Sequence, residues 1–195
     1  GQKWQPLGNH TETTTYIWNI SGEPDQTDVQ LRCYADDFLK YTPSDTFSPP
    51  MNLTIDNTPP NVTQNSPPPD YLNTTSISVN LTFNCSATDN YALKNISLYI
   101  TNSSNQSFSF NQTSNLTGKN DTATWNLSLG LGNYTWNCLG FDQAGNLDWG
   151  DNRSIVVDVP ELFPLNLTFS DNTPLELQSI LVFSTIINQG YNATD

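Results

Sequence analysis

Apolar and polar residues alternate along most of this chain with the period of two that marks β-strands buried on one face. The clearest run is 76–87, where Ile77, Val79, Leu81, Phe83, Cys85 and Ala87 share one phase and Ser78, Asn80, Thr82, Asn84 and Ser86 the other. The same pattern predicts strands over about 13–20 (Tyr16, Trp18 and Ile20 inward), 28–35 (Val29, Leu31 and Cys33) and 51–56 (Leu53 and Ile55). A short strand near Val62 follows, then 92–101 (Ile96, Leu98 and Ile100), a polar hairpin region with Phe108 and Phe110, 122–129 (Ala123, Trp125 and Leu127), 133–140 and 153–158. Past residue 160, Leu165, Leu167 and Phe169 share a phase, and 179–188 reads as a more apolar strand. Pro and Gly clusters punctuate these runs, so the expected fold class is all-β.

Cys85 and Cys138 fall on the inward phases of two core strands, Tyr134, Trp136 and Gly140 sharing the phase of the second. Cysteines on facing strands of two packed sheets can span the gap between them, which suggests an inter-sheet disulfide. Closing that 53-residue loop stabilises the fold by roughly 4 kcal/mol through the entropy of the unfolded chain, and such bonds persist outside the cytosol.

A repeat sets the domain organisation. Trp18-Asn19-Ile20-Ser21 is echoed by Trp125-Asn126-Leu127-Ser128, and Cys33 and Cys138 follow their tryptophans at similar spacing. Asp37 and Asp142 each stand four residues beyond those cysteines. Residues 1–56 are therefore expected to be the C-terminal part of a domain whose complete copy is 57–159, and 160–195 the first strands of a third sandwich. Cys33 is unpaired in this chain and is expected to face the core of the first unit, its partner lying upstream of Gly1. Against this stands strand addition, in which strands 162–188 of a neighbouring copy complete residues 13–56.

Composition points to an extracellular or cell-surface location. There are 6 basic and 19 acidic residues, a balance that disfavours nucleic acid and anionic membranes alike, and no apolar run is long enough to span a bilayer. The 25 Asn and 42 Ser plus Thr residues would give roughly five N-x-[ST] glycosylation triplets in random order. The sequence has 18, beginning at Asn9, Asn19, Asn52, Asn61, Asn73, Asn80, Asn84, Asn95, Asn102, Asn105, Asn111, Asn115, Asn120, Asn126, Asn133, Asn152, Asn166 and Asn192. Wherever strand phase can be assigned (Asn19, Asn80, Asn84, Asn95, Asn126 and Asn166), the acceptor lies on the polar phase, where a sugar can be carried. Covalent N-glycans are expected.

The I-D-N-T-P-P junction at 55–60, the S-A-T-D-N-Y-A-L-K-N-I-S-L-Y stretch from Ser86 and the Y-T-W-N-C-L-G-F-D-Q-A-G-N run from Tyr134 resemble the immunoglobulin-like repeats of large bacterial and archaeal surface proteins. The resemblance covers about 13–159 and implies tandem immunoglobulin-like β-sandwich domains. The density of glycosylation triplets is similar to that of archaeal envelope glycoproteins, which implies an archaeal source. The N-Q-G ending of the strand at 179–188 is similar to the opening of CARDB-type adhesion modules.

Candidate chemistry is sparse. His10 is the only histidine, so a catalytic triad lacks its base and a zinc site its ligands. Asp37, Asp89 and Asp142 each follow an inward cysteine by four; as strand-end residues they cap turns through backbone N–H groups. No metal is the main expectation, and the lesser one is calcium at Asp56, Asp89, Asp142 and Asp148, with Asp151 a further recruit. Trp18, Trp125 and Trp136 lie on inward phases, whereas Trp4 and Trp149 are the candidates for a partner surface. The expected function is non-catalytic: a structural component of an extracellular or cell-surface assembly, such as a surface layer, sheath, stalk or filament, whose partners are copies of itself or other surface proteins. The alternative is an adhesin recognising glycan or protein through loops at one end of a sandwich.

Overall fold

In the structure, a computed structural model, residues 7, 15–35, 46–159, 162–169 and 182–188 are described, with side chains omitted for 34–35, 46–47 and everything from 160 onward. Every regular element among them is a strand. In chain order these are β1 (Gln26–Leu31), β2 (Tyr34–Ala35), β3 (Thr46–Phe47), β4 (Met51–Ile55), β5 (Asn61–Ser66), β6 (Tyr71–Asn73), β7 (Ser78–Thr88), β8 (Leu93–Ile100) and β9 (Ser109–Asn115). They continue with β10 (Asn120–Gly130), β11 (Gly132–Asp142), β12 (Leu147–Trp149), β13 (Arg153–Val157), β14 (Leu162–Phe169) and β15 (Val182–Asn188).

Residues 61–157 build two sheets around one core. The smaller has the order β10-β7-β5 and is antiparallel throughout. The larger runs β6-β13-β11-β8-β9, with β12 also on β11 and β6 parallel to β13. Alternation in β7 and β10 puts Leu81, Phe83, Cys85, Ala87, Ala123, Trp125 and Leu129 inside, where they meet Ile96, Leu98, Ile100, Tyr134, Trp136, Cys138, Ile155 and Val157 of the larger sheet. Phe83 and Trp136 pack edge to face across the gap, centroids 5.0 Å apart. Beside them Cys85 of β7 and Cys138 of β11 form a disulfide, with Cα atoms 6.6 Å apart. Gly140 is the small member of the inward phase because β5 approaches closely there: a Cβ would lie 2.7 Å from Val62 Cγ2.

The outer face of the smaller sheet is uniform. Ser78, Asn80, Thr82, Asn84, Ser86 and Thr88 of β7, Asn120, Thr122, Thr124, Asn126 and Ser128 of β10, and Asn61, Thr63 and Asn65 of β5 carry only amides and hydroxyls, and none is buried.

Several elements differ from the sequence expectation. Ile77 is 68% exposed, because β7 starts at Ser78, opposite the last residue of β10, so no sheet continues beneath Ile77. β6 and β12 were not expected; each is three residues long, too short for alternation to register. Upstream, 15–20 is irregular instead of a strand. There Tyr16 is 47% exposed, its hydroxyl donating to the Leu7 carbonyl, and Trp18 and Ile20 are half-buried. β1 and β4 form a two-stranded antiparallel sheet with a bulge between Gln26 and Val29, where Asp28 takes φ 59°. Cys33 is free and exposed, not inward. β1 ends at Leu31, so its alternation does not reach Cys33, whose backbone instead bonds both N–H and C=O to Ser48. β14 and β15 pair antiparallel, with a register shift at Leu165. His10, Asp37 and Trp4 lie outside the described residues.

Candidate functional site

Three strand ends converge on a cluster of carboxylates. Asp56 follows β4, Asp89 follows β7 and Asp142 ends β11, and each has an oxygen within 4.8 Å of one from each of the others. Asp142 is wholly buried; its Oδ1 accepts from the N–H groups of Gly145 (2.6 Å) and Asn146 (2.8 Å), and its Oδ2 from Asn146 Nδ2. Asp89 Oδ1 caps the next turn by accepting from Tyr91 and Ala92 N–H. Both therefore perform the turn-capping read from the sequence. Capping uses only one Asp89 oxygen: its Oδ2 is buried with no hydrogen-bond partner.

Asp56 is the strained member electrostatically. Burial pushes its carboxyl above the ordinary range, and the negative charges of Asp89, Asp142 and Asp25 add to the rise against one opposing N–H from Thr58. Asp25, in the turn before β1, accepts from Thr58 Oγ1, Asn57 N–H and Asn90 Nδ2, and the first two of these chiefly hold it below the usual carboxylate value. It thereby ties the first unit's turn to the junction and to the turn after β7.

Three carboxylates offering oxygen alone suit a hard cation such as calcium, which takes six to eight oxygens, and not zinc. The buried, unpartnered Asp89 Oδ2 is a ready acceptor for one. Asp56, Asp89 and Asp142 would hold it; Asp148 would not. Asp148 sits exposed on β12, with Oδ1 accepting from the N–H of Trp149, and Asp151 is likewise exposed outside the cluster. Asp148 pairs with Gly140 and so shares the phase of Asp142, but it stands on β12 outside the cluster, a feature invisible while β12 itself was unrecognised.

Glycosylation triplets occupy the opposite kind of environment. Asn9, Asn166 and Asn192 lie outside the residues with described side chains, leaving fifteen acceptors, of which twelve are exposed and three (Asn73, Asn84 and Asn95) half-buried. Asparagines outside the triplets behave differently. Asn57, Asn65, Asn90, Asn137 and Asn146 all donate their Nδ2 amide into the fold. Asn137, the one buried asparagine among those described, fills the gap where β11 passes from pairing with β13 to pairing with β12. Among the fifteen acceptors only Asn84 donates its Nδ2, to Thr124 Oγ1. The others that bond at all accept through Oδ1: Asn19, Asn73, Asn102, Asn105, Asn126 and Asn152. Since a glycan is joined through Nδ2, the attachment atom is spared at fourteen of the fifteen described acceptors, Asn84 being the exception.

The larger sheet adds a feature that sequence reading did not foresee. Tyr99 of β8 is ringed by Phe108, Phe110 and Trp149, with centroids 5.9, 5.8 and 4.8 Å away. Phe108 is 43% exposed, Phe110 55% and Trp149 40%, so the cluster lies open to solvent. Its sequence signal is Tyr99, on the phase opposite Ile96, Leu98 and Ile100, together with Phe108 and Phe110, which alternate with serines at the entry to β9, a strand with no apolar residue besides Phe110.

No protein-family model matches this chain, and no curated protein matches it in sequence. Among the described residues no helix is long and apolar enough to cross a membrane.

Proposed function

We propose that this chain is a non-catalytic structural segment of an extracellular or cell-surface assembly, built from immunoglobulin-like domains that are disulfide-locked and coated in N-linked sugar. The observation that carries the proposal is the division of labour among the described asparagines: twelve of fifteen triplet acceptors are exposed and all but Asn84 keep Nδ2 free, whereas the asparagines outside the triplets donate theirs within the fold. An immunoglobulin-like assignment is supported by the two-sheet order, by a disulfide joining β7 to β11, and by Tyr134 near the start of β11, whose hydroxyl donates to the carbonyl of Gly130, the last residue of β10. Calcium at Asp56, Asp89 and Asp142 would stiffen the junction between successive domains, because Asp56 belongs to the strand of one unit and the other two to the next. The test is the intact mass of protein from its native source before and after chemical deglycosylation, with peptide mapping of the acceptors. A coat of many glycans is expected; a mass equal to the bare 21.7 kDa chain overturns the proposal.

A second reading, the adhesin, is favoured by the exposed aromatic cluster, since exposed apolar patches mark interaction surfaces. A partner would meet it on a sheet face, not at the sandwich-end loops expected from sequence.

A further inference from the structure

We infer that the aromatic cluster around Tyr99 is the seat of this chain's own glycan, the one attached at Asn111, whose sugar rings lie across Phe108, Phe110 and Trp149. The inference rests on the glycosylated reading above and adds a site and an occupant to it.

The cluster needs a cover. Three aromatic rings at 40–55% exposure side by side form a contiguous apolar patch, and leaving them in water forgoes the burial that each would otherwise contribute. A flat protein partner is a poor fit, because acceptors stand on several sides. Asn105 precedes Phe108 by three residues, Asn111 follows Phe110 directly, and Asn152 follows Trp149 by three; all are exposed. Glycans there would hold another protein away from the rings while putting sugar beside them. A hexose presents a face of C–H groups flanked by hydroxyls, which matches aromatic faces that are apolar in the middle and wet at the edge.

Asn111 is the best placed of the three. The β8–β9 register shifts between Leu98 and Tyr99, whose partners are Gln112 and Phe110, so Asn111 is the extra, unpaired residue of a bulge on an edge strand. Among the described residues its side chain makes no hydrogen bond, whereas Asn105 Oδ1 is held by Thr101 and Thr135 hydroxyls and Asn152 Oδ1 by Asn137. The linkage at Asn111 is thus free to turn its sugar toward the adjoining Phe110.

The experiment compares native glycoprotein with Asn111→Gln, with Thr113→Ser, which keeps the triplet, and with Asn80→Gln on the opposite sheet. Iodide quenching of tryptophan fluorescence, assigned with a Trp149→Phe background, and binding of an apolar dye are read on each, with glycopeptide mapping at Asn111. Loss of the Asn111 glycan should raise the quenching of Trp149 about twofold or more and create dye binding, while Thr113→Ser and Asn80→Gln leave both unchanged. A glycosylated Asn111 whose removal changes neither readout overturns the inference and leaves the glycan coat standing. So does an unmodified Asn111 among modified neighbours, or a native protein whose mass in solution is that of a dimer that Trp149→Phe dissociates. A protein without any glycan overturns the inference and the proposed function together.

Discussion

Replacing Asp56 with asparagine should make the metal-free protein more stable. Asp56 is 7% exposed, and its carboxylate lies within 4.8 Å of those of Asp89 and Asp142. At that separation each like-charged pair repels by about 3 kcal/mol for an effective dielectric constant of about 20. The penalty has a ceiling, because a carboxyl that is too costly to ionise takes up a proton instead. For a group of ordinary value 3.8 the ceiling at pH 7 is about 4 kcal/mol. Asparagine keeps an oxygen for the Thr58 N–H and has no charge, so Asp56→Asn should gain about 1–4 kcal/mol, several degrees in melting temperature for a domain of this size.

The sign of the pH dependence follows from the raised value. Folded protein binds a proton at Asp56 that unfolded chain has released, so this contribution is full below 3.8 and is lost as pH rises through the elevated folded value. In EDTA the wild type should therefore gain stability relative to the variant on going from pH 7 toward 4. Bound calcium would act the other way: at a hundred times its Kd the ion would add about 2.7 kcal/mol to the wild type and much less to a variant that has lost a ligand, so the gap between the two should narrow or reverse. Thermal and urea denaturation followed by circular dichroism, in EDTA and in calcium, measures all of this. An Asp56→Asn protein less stable than wild type in EDTA would refute the reasoning, since the carboxylate would then be held by its hydrogen bond rather than strained by its neighbours. A wild type unmoved by calcium would remove the cation from the account.

Removing the disulfide with Cys85→Ala and Cys138→Ala together should cost about 4 kcal/mol in urea denaturation, from the 53-residue loop it closes; a loss under about 1 kcal/mol would mean that the reduced chain is already held compact. Gly132 has φ 148°, and a Cβ there would overlap the backbone of Ser103, which accepts from the N–H of Asn133. Gly132→Ala should destabilise by about 2 kcal/mol or more, whereas Gly118→Ala, with open space around it, should cost less despite its own positive φ; equal losses would discount the clash.

Sequence alternation reached as far as strands were long and packed on one side only. β7, β8, β10 and β11 were legible because each runs eight residues or more against one core. Alternation failed at 15–20 and at Cys33, where Trp18 and the cysteine invited a match to Trp125 and Cys138 but no second sheet covers them among the described residues. The carboxylate cluster was half legible. Asp89 and Asp142 announced themselves as strand-end caps four residues after inward cysteines, and Asp56 by its place at the junction. Asp148 lies outside the cluster although it pairs with Gly140 and so shares the phase of Asp142, because alternation gives a face and not a distance. The aromatic cluster escaped because its members come from three separate segments, and only β9–β8–β11–β12 pairing gathers them.

The formal net charge of −13 has no share in the outer face of the β10-β7-β5 sheet, where every side chain is an amide or a hydroxyl. Such groups neither titrate in ordinary conditions nor depend on counterions, so brine cannot screen them and acid cannot discharge them. With or without sugar, that face keeps the same neutral charge state in a salt lake, fresh water or an acid spring. Its neutrality is a property of the covalent structure and not of the medium.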